Sequence, residues 1–161
     1  MAVRRHYSRM IIRPLLATML LWGQLLAAAA AAGPNDEVTI VTAQARHQFH
    51  VELAVTTESR RKGLMLRPVL AKDAGMLFIF PDSRRQGFWM KNTLVPLDML
   101  FIAGDGHIVY VHHNAQPHSL TSIAPQDAAK AVLEINGGLS RRLGIAIGDR
   151  ILHPSLTVSR E

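Results

Sequence analysis

Asp98 is the most informative single residue of this sequence, because its carboxylate requires hydrogen-bonding or charged partners. It lies between apolar residues in a predicted buried strand. A carboxylate in that setting must be paired or hydrogen-bonded, or its pKa rises. We therefore predict either a pocket carboxylate, which orients a ligand or acts as an acid or base, or a structural anchor that holds loop 92–96. We favour the anchor, with Arg67, Lys91 or backbone N–H groups of that loop as partners.

A second group of polar and aromatic side chains comes shortly before Asp98. Trp89 and Lys91 would share one face of a strand, and Asn92 follows them. A Trp beside polar donors suits stacking on a sugar ring or another planar ligand. The simpler alternative is a core Trp, because Trp side chains are highly buried on average.

A run of basic residues, 60–62, lies on a predicted helix and could contact an anionic group. Three consecutive residues span nearly a full helical turn, so they cannot all face one ligand. We therefore predict that Arg60 and Arg61 belong to a solvated surface. Arg67, just beyond the helix, is the better candidate for a specific contact.

These observations favour a non-catalytic binding domain for a polar small molecule, a glycan or a peptide. The candidate ligand-binding residues are Arg67, Trp89, Lys91, Asn92, Asp98 and Glu134. The alternative is a hydrolase-like enzyme that uses Asp98 as general acid or base, in one version together with Glu134. That version requires both carboxylates to line one solvent-reached cavity. No Gly-x-Ser-x-Gly elbow, phosphate-binding glycine loop or dinucleotide fingerprint occurs, and we predict no cofactor.

Methionine and histidine residues define a third hypothesis, a periplasmic copper site, since thioether and imidazole groups are suitable copper ligands. The chain beyond the signal segment contains Met65, Met76, Met90, Met99, His47, His50, His107, His112, His113, His118 and His153. The Met residues lie within apolar runs, where Met ordinarily fills a core. On a regular strand, His107 and His112 would point to opposite faces. We therefore predict no bound metal and keep copper as an alternative.

The first 32 residues have the composition of a secretory signal peptide. Four Arg residues precede the apolar stretch 15–26, and an alanine run, 27–32, follows it. We predict cleavage near Ala32 and a periplasmic or secreted location. The alternative is an uncleaved anchor helix, and only then would a membrane be a partner.

Charge and cysteine content restrict the remaining classes. The formal net charge is +6, but from Gly33 onward 14 Lys and Arg residues stand against 12 Asp and Glu residues. This near-neutral domain has no electrostatic footprint for nucleic acid, so we predict no nucleic-acid partner. With no cysteine, the chain has no disulfide, no lipid-modified Cys and no thiolate metal site.

The elements that must position the candidate residues are mainly short strands. Apolar runs and period-two alternation predict strands at residues 38–45, 47–55, 75–80, 87–91, 97–103, 107–113, 131–135 and 150–152. Short helices are predicted at 58–66, capped by Thr57, and at 139–143. The fold class is α+β, mainly an antiparallel or mixed sheet curled into a small barrel or sandwich. Residues 33–161 form a single domain.

Several segments together resemble a known family. They are KGLMLR (62–67), GMLFIFP (75–81), FWMKNT (88–93), PLD (96–98), VLE (132–134) and GD (148–149). This pattern is similar to the domain of unknown function 192 family, over about residues 38–152. The resemblance implies a compact β-rich fold, often exported, and no particular activity. Related sequences often have a Cys after the hairpin, where this chain reads Pro-His-Ser (117–119), so a thiol-dependent role is not expected.

Overall fold

A seven-stranded mixed sheet accounts for most of the structure, a computed structural model that describes residues 36–156. The strands are β1 (Glu37–Val41), β2 (Arg46–Ala54), β3 (Ala74–Arg84), β4 (Leu97–Ile102), β5 (Ile108–Ala115), β6 (Ala129–Asn136) and β7 (Arg150–Leu152). The short helices α1 (Thr57–Lys62) and α2 (Leu139–Arg142) and a 3-10 turn (Pro154–Leu156) complete it. The predicted signal segment lies outside the described residues.

The sheet curves into a half-barrel. Its strand order is β5-β4-β6-β3-β2-β1-β7, and only the β2–β3 pair is parallel. The two edges approach each other where His107 forms an isolated bridge with Arg150. The Ile108 N–H also donates to the Asp149 carbonyl at 2.8 Å. The predicted fold class is therefore confirmed, and the predicted hairpin is the antiparallel β4–β5 pair.

Each face of the sheet has its own hydrophobic core. One core draws buried residues from all seven strands, including Val38, Leu100 and Ile151, and fills the inside of the half-barrel. The other core lies on the opposite face and includes Phe78, Met99 and Phe101. Because β4 contributes to both, every one of its residues is buried, as expected for a central strand.

Three connections cover this second face. Residues 55–73, 85–96 and 116–128 each join two strands that run in the same direction, so each must cross the sheet from one end to the other. Backbone hydrogen bonds link them: the Leu66 N–H donates to the Asn92 carbonyl at 2.8 Å, and the Met90 N–H to the Ser119 carbonyl at 2.9 Å. We call residues 55–73, 85–96 and 116–128 the crossing layer.

This topology corrects the predicted strand at 87–91. In the structure only Phe88 forms a bridge, to Ile123, and the segment belongs to the crossing layer. Its alternating apolar residues do face inward, and Met90 is fully buried. The chain does not continue as a strand because it must return across the sheet before β4 begins, and Asn92 turns with a positive φ of 56°.

Helix α1 is shorter than predicted. Its N-cap is Thr56 rather than Thr57, and the Thr56 and Ser59 side chains form a capping box. The helix ends because Gly63 has a φ of 49°, in a region that favours glycine. Among residues 36–156, no helix is long and apolar enough to span a bilayer.

Candidate functional site

A cavity of about 530 Å³ lies beneath the crossing layer, between α1, the end of β3 and residues 87–93. Its lining combines three chemical groups. The aromatic residues are Phe78, Phe80, Phe88 and Trp89, the cationic residues are Arg60, Arg61, Lys62 and Arg84, and the acidic residues are Asp82 and Glu134. Apolar walls with a few convergent polar groups are typical of small-molecule sites.

Glu134 forms the buried polar end of this cavity. It lies in the middle of β6, paired with Met76 of β3 and Met99 of β4, and is only 4% exposed. Its carboxyl group makes no hydrogen bond or ion pair with any of residues 36–156. Burial raises the pKa of Glu134 to about 8, so the group is mostly protonated at neutral pH. It therefore presents both an O–H donor and a carbonyl acceptor to the cavity.

Of the four cationic side chains that line the cavity, Arg60 is held in place by hydrogen bonds to backbone carbonyls. Arg60 donates from Nη1 to the carbonyls of Val55, at 2.5 Å, and Ile79, at 2.9 Å, and its guanidinium lies 5.4 Å from the Phe80 ring centroid. Within the part of the chain that the structure describes, the side chains of Arg61, Lys62 and Arg84 make no hydrogen bond or ion pair, although the charge of Lys62 contributes to the lowered pKa of Glu52. Their charges remain available to an anionic ligand.

The aromatic side is held in place by edge-to-face contacts around Phe88. Its ring centroid lies 5.1 Å from that of Phe78, 6.3 Å from that of Phe80 and 5.7 Å from that of Phe101. Such pairs prefer this geometry and add to the stability gained by burial. These contacts hold the aromatic wall of the cavity in a defined arrangement.

Trp89 lies at the cavity mouth and is 50% exposed, so the alternative of a core Trp is wrong. The ammonium group of Lys91 lies 5.2 Å from its ring centroid, which is a cation–π geometry. The predicted proximity of these two side chains is present, although the segment is not a strand. Lys91 therefore adds positive charge beside the mouth without lining the cavity.

The other predicted site residues lie elsewhere. Arg67 makes a two-fold hydrogen-bonded ion pair with Glu52, with Nη2 and Oε2 2.6 Å apart. This contact lowers the pKa of Glu52. Asn92 is exposed and contributes its carbonyl to the crossing layer. Of the six predicted residues, Trp89 and Glu134 line the cavity.

Asp98 is a fully buried anchor. Oδ1 accepts hydrogen bonds from the N–H groups of Asn114, at 2.7 Å, and Gly138, at 2.8 Å. Oδ2 accepts from the N–H of Ser140, at 2.7 Å, and from its hydroxyl, at 2.6 Å. Burial alone would raise the pKa of Asp98, but these donors outweigh it and hold the pKa below its usual value. The carboxylate is ionised.

None of the partners predicted for Asp98 is correct. Arg67, Lys91 and loop 92–96 make no hydrogen bond to it, because Asp98 projects to the face opposite the crossing layer. There it joins the end of β5 to the start of α2. The residues that lead into α2 pack closely against β4 and β5 at Gly137, where an added Cβ would lie 2.7 Å from Asn114 Oδ1 and 2.9 Å from Pro96 Cβ.

Ser140 and His113 extend the anchor without forming a nucleophilic site. His113 Nδ1 lies 2.8 Å from Ser140 Oγ, while the Ser140 hydroxyl donates to Asp98. In a serine-nucleophile triad the His stands between Ser and the carboxylate, whereas here Ser stands between them and is fully buried. The two-carboxylate version of the enzyme hypothesis also fails, because Asp98 and Glu134 project from opposite faces of the sheet.

Within residues 36–156, no group of three or more His, Asp or Glu side chains could hold a metal ion. Met76, Met90 and Met99 are buried in the second core, as expected for core-filling methionines. The copper hypothesis therefore gains no support from the geometry of the described residues.

A second cavity of about 530 Å³ lies between Tyr110, His112 and residues 121–127. Burial, followed by the nearby charge of His113, lowers the pKa of His112. Only Pro125 among its lining residues is buried. Because no buried charged group faces this cavity, it is the weaker candidate for specific recognition.

The sequence-based prediction missed the cationic residues of the first cavity. Arg60 and Arg61 were expected on a solvated surface, and Arg84 was not singled out. A run of basic residues signals charge but not which of them border a cavity. Arg84 had no signal either, because the extension of β3 beyond Pro81 is visible only in the structure.

The chain belongs to the DUF192 family, described as "Uncharacterized ACR", whose model matches residues 38–153. A Sinorhizobium meliloti crystal structure named "putative transcription regulator" is 47% identical, with a TM-score of 0.72, covering 74% of this chain and 93% of that one. A Novosphingobium aromaticivorans protein of unknown function is 40% identical, with a TM-score of 0.72, covering 78% and 94%. No curated protein matches this chain. The family resemblance is thus confirmed.

Proposed function

We propose that this domain is a non-catalytic binding module of the cell envelope whose ligand is a polar small molecule held in the cavity above Glu134. The observation that carries the proposal is the Glu134 carboxyl group, 4% exposed and without a hydrogen-bond partner among residues 36–156. Buried polar side chains in proteins are nearly always hydrogen-bonded, and one that is not calls for an explanation. Because Glu134 lines the cavity, water or a ligand in the cavity can reach its carboxyl group, and the proposed ligand would replace that water as its partner.

The rest of the lining supports a ligand with three kinds of chemical group. At neutral pH the protonated Glu134 suits a hydroxyl or carbonyl group at the deep end. The Phe78 and Phe88 rings suit an apolar or planar body, and Trp89 at the mouth suits stacking on a sugar or aromatic ring. Arg61, Lys62 and Arg84 favour an anionic substituent.

Cavity size favours the small molecule among the three ligand classes predicted from the sequence. A volume of about 530 Å³ is within the range of small-molecule sites. An extended peptide or a long glycan could place only one terminal unit in it. We therefore infer a ligand of monosaccharide or aromatic-acid size, and the composition of residues 1–32 supports encounter outside the cytoplasm.

Matched ligand pairs test the proposal. The chain from Gly33 onward would be titrated with glucuronic acid and glucose, and with 4-hydroxybenzoate and 4-hydroxybenzyl alcohol, by ligand-observed NMR. We expect the anionic member of at least one pair to bind more tightly. Native mass spectrometry after exposure to an envelope extract would search for the natural ligand.

Two variants locate the binding. Glu134→Ala should weaken the binding of any such ligand about tenfold or more, since one hydrogen bond to a buried carboxyl is lost. Tyr110→Phe, in the second cavity, is the matched control and should leave the affinity unchanged. Equal affinity in wild type and Glu134→Ala would refute the site.

A second candidate function is general acid catalysis by Glu134. The observation in its favour is the pKa of about 8, which keeps a proton on the group near neutral pH. Glu134→Gln separates the two functions, because it retains hydrogen bonding but cannot release a proton. Retained binding with loss of all product formation would favour the enzyme, and an unchanged ligand in both proteins would favour the binding module.

A further inference from the structure

The crossing layer holds most of the exposed large hydrophobic side chains of the described domain. Eight large hydrophobic side chains are exposed among residues 36–156, and six of them belong to this layer. They are Val55, Leu66, Val69, Trp89, Leu94 and Leu120. Leu66 and Val69 are more than 70% exposed. Scattered exposed hydrophobic residues are normal, but a concentration on neighbouring segments marks an interaction surface.

The backbone of the same layer has positive φ values at three non-glycine residues, of which Asn92 adopts that region readily and Leu66 does not. Leu66, Asn92 and His118 have φ values of 61°, 56° and 62°, and they are three of the four non-glycine residues with positive φ in the described chain. Backbone hydrogen bonds from Leu66 to Asn92 and from His118 to Thr93 connect them. A left-handed leucine is costly, and here its side chain is not buried in return. Strain of this kind persists at binding surfaces.

Positively charged residues, like the exposed hydrophobic residues, are concentrated in the crossing layer. The crossing layer holds seven Lys and Arg residues against three Asp and Glu residues, a formal net charge of +4. The remainder of residues 36–156 holds six against eight, a formal net charge of −2. The domain is near neutral in total, but the crossing layer carries an excess of positive charge, which is still +3 when Glu52, the ion-pair partner of Arg67, is counted with it.

We propose that the crossing layer docks on the surface of an anionic lipid bilayer. Leu66, Leu94 and Leu120 would enter the headgroup–acyl boundary, with Trp89 at headgroup level and Lys91 near lipid phosphates. Apolar tips combined with positive charge are the features that interfacial membrane binding requires. Nucleic acid would use the positive charge but not the exposed leucines, so the bilayer fits both observations. This inference does not depend on ligand binding at Glu134.

Trp89 provides a direct measurement. The sequence has two Trp residues, and the other one, Trp22, lies before Gly33. Fluorescence of the chain from Gly33 onward therefore reports on Trp89 alone. With vesicles of phosphatidylcholine and about a third phosphatidylglycerol, we expect a blue shift, quenching by brominated lipids and co-sedimentation. Binding to pure phosphatidylcholine should be at least about tenfold weaker.

Matched variants assign the surface. Leu66→Ser with Leu120→Ser should reduce vesicle partitioning about tenfold, whereas Ile147→Ser with Leu152→Ser changes exposed apolar residues outside the layer and should not. Arg61→Glu with Lys91→Glu should also reduce it, and Arg141→Glu should not. Exposed positions are used so that folding, checked by circular dichroism, is retained.

Several outcomes would overturn the proposal. One is equal partitioning to neutral and anionic vesicles, or none to either. Another is equal loss in the Ile147 and Leu152 control. Binding to a DNA duplex that responds to Lys91→Glu while vesicle binding is absent would assign the surface to nucleic acid instead.

Discussion

Two buried carboxyl groups on adjacent strands of this domain differ in their hydrogen bonding and in the direction of their pKa shifts. In the β4–β6 ladder, Asp98 pairs with Ile135 and Glu134 pairs with Met99, so the two residues are near neighbours along the sheet. Their side chains project to opposite faces. Asp98 accepts four hydrogen bonds and its pKa is lowered, whereas Glu134 accepts none from residues 36–156 and its pKa is raised to about 8.

This difference shows that burial alone does not determine the charge of a carboxyl group. Asp98 lies at the start of β4, beside the turn from β6 into α2, and this turn offers backbone N–H groups that the ladder does not use. Glu134 lies in mid-strand, where the neighbouring amides of β3 and β4 are committed to the ladder. The first carboxylate is satisfied by the protein, and the second faces a cavity.

The largest expected effect comes from removing the satisfied carboxylate. Asp98→Ala would leave the part-buried N–H groups of Asn114 and Gly138, and the buried N–H and hydroxyl of Ser140, without their acceptor. We expect the free energy of unfolding to fall by about 3–5 kcal/mol, measured by urea denaturation. Asp98→Asn is the conservative control and should lose less, since one amide oxygen still accepts. A loss below about 1 kcal/mol would contradict the anchor role.

The unsatisfied carboxyl group should give the opposite pH dependence. Because the folded-state pKa of Glu134 is raised from 4.5 to about 8, its stabilising contribution is complete below pH 4.5 and is lost as the pH rises to about 8. The loss between pH 5 and 8 should be on the order of 3 kcal/mol in the free energy of unfolding.

Glu134→Gln tests this pH dependence, since an amide does not titrate. The variant should lose much less stability over that range and be the more stable protein at pH 8. Asp98 contributes in the reverse sense: its lowered pKa gives stability above its usual value of 3.8 that is lost as the pH falls below it. Identical pH profiles for wild type and Glu134→Gln would show that Glu134 is already satisfied.

A smaller effect is expected at Ser140. Ser140→Ala removes one of the four donors to Asp98 and the partner of His113 Nδ1, but leaves the three N–H groups in place. The free energy of unfolding should fall by about 1–2 kcal/mol, less than in Asp98→Ala. A loss as large as that of Asp98→Ala would mean that the hydroxyl, not the backbone amides, holds the anchor together.

The smallest effect is expected at the exposed carboxylate of Glu52. Its partner Arg67 is one-third exposed, and exposed ion pairs contribute little. Arg67→Ala should change the free energy of unfolding by at most about 1 kcal/mol. It should also leave ligand affinity at Glu134 unchanged. A tenfold loss of affinity would place Arg67 at the binding site, as the sequence alone suggested.

Local patterns predicted most of the fold. The alternation of β2, the apolar run of β4 and the glycine-containing turn before β5 led to the correct strands and hairpin, because they depend on neighbours along the chain. The predicted strand at 87–91 is wrong. The alternation of apolar residues in this segment is present, but the segment connects β3 to β4 across the sheet and so cannot pair as a strand within it. The exposure of Trp89 also depends on tertiary structure, because it follows from the position of this residue at the cavity mouth.

Composition, local patterns and motifs predict the β-rich class, exclude disulfides, indicate the family and show that Asp98 needs partners. The strand order supplies those partners, because Asn114, Gly138 and Ser140 are distant from Asp98 in the chain and meet it only in the folded domain. It also decided which carboxyl group stays unsatisfied. The donors near a buried carboxyl group come from segments that are distant in the sequence. The residues adjacent to Glu134 in the chain therefore do not reveal that its carboxyl group has no donor among residues 36–156.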